Sequence, residues 1–323
     1  MIHNKSYINK INALGKNGQA FLFIIDFEGK KPLVHELDKL PDDVFFETPD
    51  STHQPDNLDV SENITFKKHP IPYSDYKLKF DIVMEHIKNG DTYLINLTQP
   101  TRVETELDLR GLYFMAHAPY KLFYKNNFVV FSPESFIRIN GNRISTFPMK
   151  GTIDADIPDA RETLLNDPKE ISEHNTIVDL MRNDLSIVAR KVSVDRFRYI
   201  DKIRTNDKNI LQASSEISGI LPDDYRCRLG DILSTLLPAG SISGAPKEKT
   251  IDILINAEEY SRSYYTGIFG VFDGENLDSA IMIRYVEKMG ENLIFKSGGG
   301  ITFRSKAEKE YQELIDKVYV PIT

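Results

Sequence analysis

The sequence predicts an α+β protein with antiparallel sheets and helices outside them, and three observations lead there. Strand-like segments meet in pairs across Asn126-Asn127, Gly141-Asn142 and Asp273-Gly274, dipeptides that tolerate the backbone of a tight hairpin turn. Helical periodicity is confined to a few separate stretches, whereas parallel βαβ units would alternate strand and helix one by one. Apolar residues make up 41% of the 323 positions, with no low-complexity tract and no internal repeat, which is ample material for a buried core.

Residues 1–74 hold one clear strand, Phe21-Leu22-Phe23-Ile24-Ile25, then a polar, proline-containing stretch over 41–72 with no sustained period. They are assigned as a short N-terminal segment contributing to the same fold as a main catalytic domain over 75–320. A helix is expected over 75–89, with Phe80, Val83, Met84 and Ile87 on one core-facing stripe, Ser74 as N-cap and Gly90 as stop. Strands are expected over 93–98, 122–124, 128–131 and 136–139. A second helix begins at Asp167 with Pro168 in its first position, where a missing N–H costs little, and runs at least to Met181. It puts Glu170, Glu173, Ile177 and Leu180 on one face. Strands return over 267–272, 279–285 and 293–296, the last followed by three glycines. The final helix opens on Ser305-Lys306-Ala307-Glu308, a capping-box spacing, with Tyr311, Leu314, Ile315 and Val318 inward and Glu310, Glu313 and Lys317 beside them.

A net charge of −8 and a pI near 5.5 argue against a nucleic-acid partner, which needs a surplus of Lys and Arg on one face. An anionic ligand must then be held by a local cluster of cations or by a metal. No run of 18 apolar residues and no cationic-then-apolar start occurs, so no membrane association is expected and the cytoplasm is the expected location. Cys227, the single cysteine, cannot form an internal disulfide.

Reactive side chains gather at a few places. Lys150, in Pro148-Met149-Lys150-Gly151-Thr152, follows Glu134 of Ser132-Pro133-Glu134 across an expected hairpin, so a nucleophilic amine and a carboxylic-acid proton donor are offered together. Glu170/Glu173 and Glu310/Glu313 are Glu-x-x-Glu steps whose carboxylates point the same way. A solvated helix face is the commoner meaning of one such step, but two of them meeting would suit Mg²⁺, which takes one or two carboxylates and keeps several waters. The segment 240–247 is not a phosphate loop, since Pro246 precedes Lys247 and the second glycine comes one place early. It suits a tight loop offering hydroxyls and N–H groups to a small polar ligand. Gly298-Gly299-Gly300 after a strand lets backbone N–H groups approach a carboxylate.

In order, and over about residues 75–320, these pieces resemble the chorismate-utilising enzymes: anthranilate synthase component I, aminodeoxychorismate synthase component I, and the isochorismate and salicylate synthases. The resemblance is carried by residues 90–98, Ser132-Pro133-Glu134, residues 148–152, 173–185 and 240–247, Tyr265-Thr266-Gly267, Ile283-Arg284, residues 298–301 and Glu310-Tyr311-Gln312-Glu313. It implies an α/β sandwich of two antiparallel sheets packed face to face with helices outside. It also implies Mg²⁺ held on the ring carboxylate by Glu173 and Glu313, backed by Glu170 and Glu310. Tyr265, Arg284, Gly298 and Lys317 match positions that bind chorismate's carboxylates, and Gly299, Gly300, Ser243 and Thr152 are assigned to the same substrate site.

Three positions discriminate among reactions. Lysine in the Pro-x-Lys-Gly-Thr motif resembles aminodeoxychorismate synthase, where it is the nucleophile on the ring, whereas anthranilate synthases usually carry Ala there. Leu94 stands where the hydroxylating members have a water-activating Lys, and it also replaces the Gln common in aminating members. Gln212 stands where aromatising members have the His associated with pyruvate loss, and a glutamine is no base near neutral pH. The expected activity is therefore that of aminodeoxychorismate synthase component I, turning chorismate and ammonia into 4-amino-4-deoxychorismate on the route to p-aminobenzoate and folate. Cys227 lacks a glutaminase setting, so a glutamine amidotransferase subunit is the expected ammonia source. The alternatives are anthranilate synthase component I and a catalytically silent chorismate-binding protein.

Overall fold

Alternation of side chains along fully buried strands decides how this chain is layered. The computed structural model describes residues 5–55, 65–204 and 209–321, so parts of the N-terminal segment (1–4 and 56–64) and of the main domain (205–208) lie outside the described residues. The strands are β1 (Phe21–Ile25), β2 (Leu33–Glu36), β3 (Val44–Thr48), β4 (Ser51–His53), β5 (Lys67–His69), β6 (Leu94–Glu104), β7 (Tyr120–Tyr124), β8 (Phe128–Ser132), β9 (Ser135–Asn140), β10 (Arg143–Thr146), β11 (Met149–Asp154), β12 (Arg190–Arg204), β13 (Asn209–Ile220), β14 (Gly244–Ala245), β15 (Ile268–Phe272), β16 (Leu277–Ile281), β17 (Tyr285–Met289) and β18 (Asn292–Ile301). The helices are α1 (Lys5–Lys16), α2 (Tyr73–Lys88), α3 (Leu109–Met115), α4 (Ala160–Asn166), α5 (Pro168–Val188), α6 (Leu229–Leu236), α7 (Gly240–Ser243), α8 (Lys247–Glu258) and α9 (Ala307–Asp316).

Among the described residues, two antiparallel nine-stranded sheets result. The first runs β11-β13-β10-β9-β16-β15-β1-β2 with β12 beside β13, and the second runs β14-β6-β18-β17-β8-β7-β3-β4 with β5 beside β6. Leu22 and Ile24 of β1 pack with Val44, Phe46, Leu122 and Val130 of the second sheet. Phe21, Phe23 and Ile25, one residue out of phase, join Ile177, Leu229 and Leu233 of the helices instead. Likewise Phe128 and Val130 of β8 face the first sheet, while Val129 and Phe131 pack with Leu109, Leu112 and Tyr113 of α3. Because successive side chains of a strand point to opposite faces, each sheet is covered on both sides and the layers read helix, sheet, sheet, helix. Each such fully buried aliphatic or aromatic side chain stabilises the fold by about 1.5–3 kcal/mol.

Residues 21–53 supply strands to both sheets, β1 pairing with β15 and β3 with β7. They are preceded by α1, which the sequence reading missed because its buried stripe is short: Tyr7, Ile11 and Leu14. No described helix is long and apolar enough to cross a membrane.

Several local expectations change. Pro72 rather than Ser74 is the N-cap of α2, a proline there already having the fixed φ of a helix start. At the far end Gly90 follows the helix at φ 80. The single strand expected over 279–285 divides, since β16 ends in the first sheet and β17 begins in the second. The chain crosses between them through 282–284, with Arg284 at φ 52. The three glycines lie inside β18, opposite Asn96, Leu97 and Thr98 of β6, rather than beyond it. The capping box at α9 does not form, because Ser305 Oγ accepts the N–H of Thr302 and Lys306 is the N-cap.

Asp167 does cap α5, its Oδ1 accepting the N–H groups of Lys169 and Glu170 at 2.8 and 3.0 Å. Asp167→Ala is expected to lower stability by about 1 kcal/mol, measured as a shift in denaturant midpoint, and an unchanged midpoint would contradict the cap.

Candidate functional site

The N-terminal half of α5, β11, the crossover at 282–284, β18 and α9 surround a cleft of about 680 Å³. Glu134 reaches it from the link between β8 and β9, and its Oε1 accepts the hydroxyl of Ser241 at 2.9 Å. Burial pushes its carboxyl above the ordinary range, although Ser241 and the charges of Lys150, Lys317 and Arg284 oppose this. A shift in this direction favours the protonated form, which is the form a proton donor needs. Lys150 enters from β11. Its Nζ lies 4.0 Å from Glu173 Oε2 and 3.7 Å from the point where a Cβ on Gly300 would stand, and Leu94 Cδ1 lies 3.2 Å from that same point. The amine therefore stands near a carboxylate and beside a glycine that Leu94 also borders. Thr152, also on β11, lines the cleft and pairs with Gln212 of β13.

Carboxylates line the cleft from two helices. Glu170 and Glu173 reach it from α5 and Glu313 from α9. Glu310 is buried behind, its Oε2 and Glu313 Oε1 each 3.4 Å from where a Cβ on Gly299 would stand. Glycine at 299 thus leaves both oxygens free of a side chain in front of them. Burial raises Glu170, and the charge of Glu173 adds to it; burial raises Glu310, with Glu313 and Glu173 adding. At Glu313 burial is the largest influence but is overcome by Lys317, Lys150 and Lys169, which hold the carboxyl low. Lys169 is itself raised by the four glutamates, against its burial. Cations occupy the cluster: Lys169 Nζ is 3.5 Å from Glu173 and Lys317 Nζ 2.6 Å from Glu313. Among the described residues no three acidic, His or Cys groups converge closely enough to hold an ion by themselves. The donor set fits an ion that takes one or two carboxylates and completes its shell with water and ligand oxygens, as Mg²⁺ does, and does not form a closed cage.

Binding groups for an anion stand opposite. Arg284, at positive φ and lining the cleft, has its guanidinium over the ring of Tyr319 at 4.8 Å and a buried Nε with no hydrogen-bond partner among the described residues. Lys317 donates to Gly298 O at 3.0 Å, and burial lowers its pKa although Glu313 opposes this. Tyr265 and Gly298, Gly299 and Gly300 complete that wall.

Ser243 does not belong to the cleft lining. It is fully buried in α7, and its hydroxyl donates to Ala239 O at 2.9 Å. The helical turn aims Ser241 at the cleft instead, two residues earlier and so on another face. Gly244 follows at φ 127, where a Cβ would collide with the Leu94 carbonyl. Lys169 and Asn96 also line the cleft and were missed. Lys169 stands four residues before Glu173 on one helix, a spacing that could have revealed it.

Behind the lining lies an almost fully buried pair. Arg262 binds Glu258 through two bonds of 2.6 and 2.8 Å and also donates to the carbonyls of Asn96 and Ile242, while Glu258 accepts from the N–H and hydroxyl of Thr98. His174, beside Glu173 on α5, points away into the core. Its Nε2 is 2.7 Å from Ser215 Oγ, and burial, aided by Arg198, lowers its pKa to about 4, which leaves the ring neutral.

Residues 19–323 match the family of chorismate binding enzymes. The chain is 50% identical over 323 residues to a PabA-like protein of Pasteurella multocida (strain Pm70), covering 98% of each. It is 32% identical over 260 residues to aminodeoxychorismate synthase component 1 of Escherichia coli (strain K12), covering 75% of this chain and 56% of that one. Its fold is similar, at a TM-score of 0.68 and 28% identity, to anthranilate synthase component I from Streptococcus pneumoniae TIGR4, over 81% of this chain and 60% of that one. With its double antiparallel sheet and a cleft of glutamates facing cations, this chain belongs to the chorismate binding enzyme family.

Proposed function

We propose that this chain aminates chorismate at C4 to give 4-amino-4-deoxychorismate, the activity of an aminodeoxychorismate synthase component I, on the route to p-aminobenzoate and folate. The observation that carries the reading is the amine of Lys150 in the cleft, 4.0 Å from Glu173 and beside Gly300. Lys150 Nζ, in its neutral form, attacks ring C2. The C1=C2 and C5=C6 double bonds shift to C1=C6 and C4=C5 and the C4–O bond breaks, Glu134 giving its proton to the hydroxyl, which leaves as water. Ammonia then adds at C4, both double bonds shift back to C1=C2 and C5=C6, and the C2–N bond breaks to expel the Lys150 amine. Arg284, Lys317 and Tyr265 hold the substrate carboxylates, and Leu94 keeps a rival water away from the reacting centre. Glu173 and Glu313 would hold Mg²⁺, with Glu170 and Glu310 behind them; when bound, the ion offsets the charge of the ring carboxylate. Ammonia is supplied from glutamine by an amidotransferase subunit.

Purified chain given chorismate, Mg²⁺ and ammonium at alkaline pH is expected to yield aminated chorismate by mass spectrometry, without release of pyruvate. Glutamine in place of ammonium is expected to yield none until the amidotransferase is added. Anthranilate with pyruvate as the product would sink the reading. Glu173→Gln and Glu313→Gln are each expected to remove Mg²⁺-supported turnover with an unchanged circular dichroism spectrum, whereas full activity of the unmodified chain in excess chelator would refute the metal site.

A further inference from the structure

We infer that Arg198 is a positioning residue for the cleft, its guanidinium clamping the end of α4 so that Leu164 and Glu170 stay against Gly151, beside Lys150. The inference deepens the proposed amination and rests on that reading of Lys150 and of the glutamates of α5.

The backbone of Arg198 is the first sign. It stands in β12 at φ 44, where the pairing of β12 with β13 shifts register between Arg196 and Tyr199. A residue with a long side chain is strained at such a φ and persists there only where its surroundings hold it. Inside the irregularity its N–H goes to Ser215 Oγ of β13, at 2.9 Å.

A bulge re-aims the side chain it carries, and this one is aimed at α4. Nη1 donates to Leu165 O at 2.8 Å and Nη2 to Leu164 O at 3.0 Å. Both carbonyls belong to the last turn of the helix, where they have no partner within it and where a cation is favoured. With 7 residues, of which Ala160 and Leu164 are the buried ones, α4 is too short to be stable alone. Its place therefore depends on the clamp and on the seat of Leu164.

That seat is next to the reacting amine. Leu164 Cδ1 lies 3.0 Å, and Glu170 Oε2 2.7 Å, from where a Cβ on Gly151 would stand, so α4 and α5 meet on this glycine. Gly151 follows Lys150 at φ 79, inside the register shift between β11 and β13. The ladder is interrupted there, and the two helices hold what the strand does not. The clamp also sets where α5 begins, because Asp167, its N-cap, comes directly after α4. Lys169, Glu170 and Glu173 reach the cleft from that first part of α5.

Arg198→Asn removes the guanidinium and suits the backbone, since Asn tolerates positive φ. Arg198→Lys keeps the charge but replaces a two-pronged fork with one flexible ammonium. At saturating Mg²⁺ the Asn variant is expected to lose about 10-fold or more in kcat, with KM for chorismate within about threefold, because a reacting group is displaced while the anion-binding wall is untouched. The Mg²⁺ concentration for half-maximal rate should rise by about fivefold, as the glutamates of α5 shift. The Lys variant should fall between the two chains. Hydrogen exchange read by mass spectrometry should quicken over residues 160–170 in the Asn variant and stay unchanged over β1 and β15. A merely structural Arg198 would lower the denaturant midpoint and leave kcat and the Mg²⁺ requirement alone, and that result in a folded variant overturns the inference. Unchanged exchange over 160–170 overturns it as well. If the Asn variant does not fold, the Lys variant decides by the same two readouts. If the unmodified chain makes no aminated chorismate, the proposed function fails, and hydrogen exchange still decides whether Arg198 clamps α4.

Discussion

Lys150→Ala is expected to lower turnover by about 10²-fold or more, about 3 kcal/mol of barrier. The amine stands in a cleft of about 680 Å³ with Glu134 and Glu173, and covalent catalysis gains by splitting one difficult substitution into two easier ones. With chorismate and Mg²⁺ but no ammonia, the unmodified chain should accumulate an adduct, read after rapid quenching as a mass increase on the peptide containing Lys150. Lys150→Ala should lose it. Lys150→Arg separates chemistry from charge, because a guanidinium keeps the cation but stays protonated and is no usable nucleophile. Near-normal turnover in the Arg variant, with no adduct in the unmodified chain, would exclude the covalent route and leave the family membership untouched.

Arg262→Met is expected to destabilise the fold by about 3–5 kcal/mol, the cost of leaving a buried charge without its partner. Glu258 is 3% exposed and Arg262 2%, so water does not replace the lost guanidinium. The carboxylate of Glu258 then keeps the N–H and hydroxyl of Thr98 as its hydrogen-bond donors among the described residues. The carbonyls of Asn96 and Ile242 lose a donor at the same time, and both residues line the cleft. A rise in the KM for chorismate should accompany the loss of stability. Replacing both charges, as Arg262→Met with Glu258→Gln, should recover part of the loss, because no unpaired charge then remains. Chemical denaturation of the two variants checks this, and an Arg262→Met variant as stable as the unmodified chain would show that the pair does not hold the wall.

Local spacing made some of this legible. Glu170 and Glu173 share the cleft because three residues on a helix nearly complete a turn, and Asp167-Pro168 marked the start of that helix correctly. Paired strands around Asn126-Asn127 and Gly141-Asn142 were visible because tight turns restrict residue type. Other features depend on phase or on distant partners. Ser241 and Ser243 share one short loop, and only the helical turn of α7 decides that the first meets Glu134 and the second bonds Ala239. The run from Ser279 to Tyr285 reads as one strand, since hydrophobic alternation is the same whether a strand continues or changes sheets.

The sequence by itself determined which chemical groups this protein has and where α5 and the hairpins at Asn126-Asn127 and Gly141-Asn142 lie, because capping, turn chemistry and helical spacing act over a few residues. Only the tertiary structure decided which groups meet. Lys150 faces Glu173 because a bulge in β11 turns it toward α5, and Arg284 enters the cleft because the chain crosses between sheets there at positive φ. Gly299 lies before Glu310 and Glu313 because β18 runs through the middle of the second sheet, under α9. Each of these contacts joins separate elements, and the packing that fixes it is a property of the whole core rather than of any local pattern.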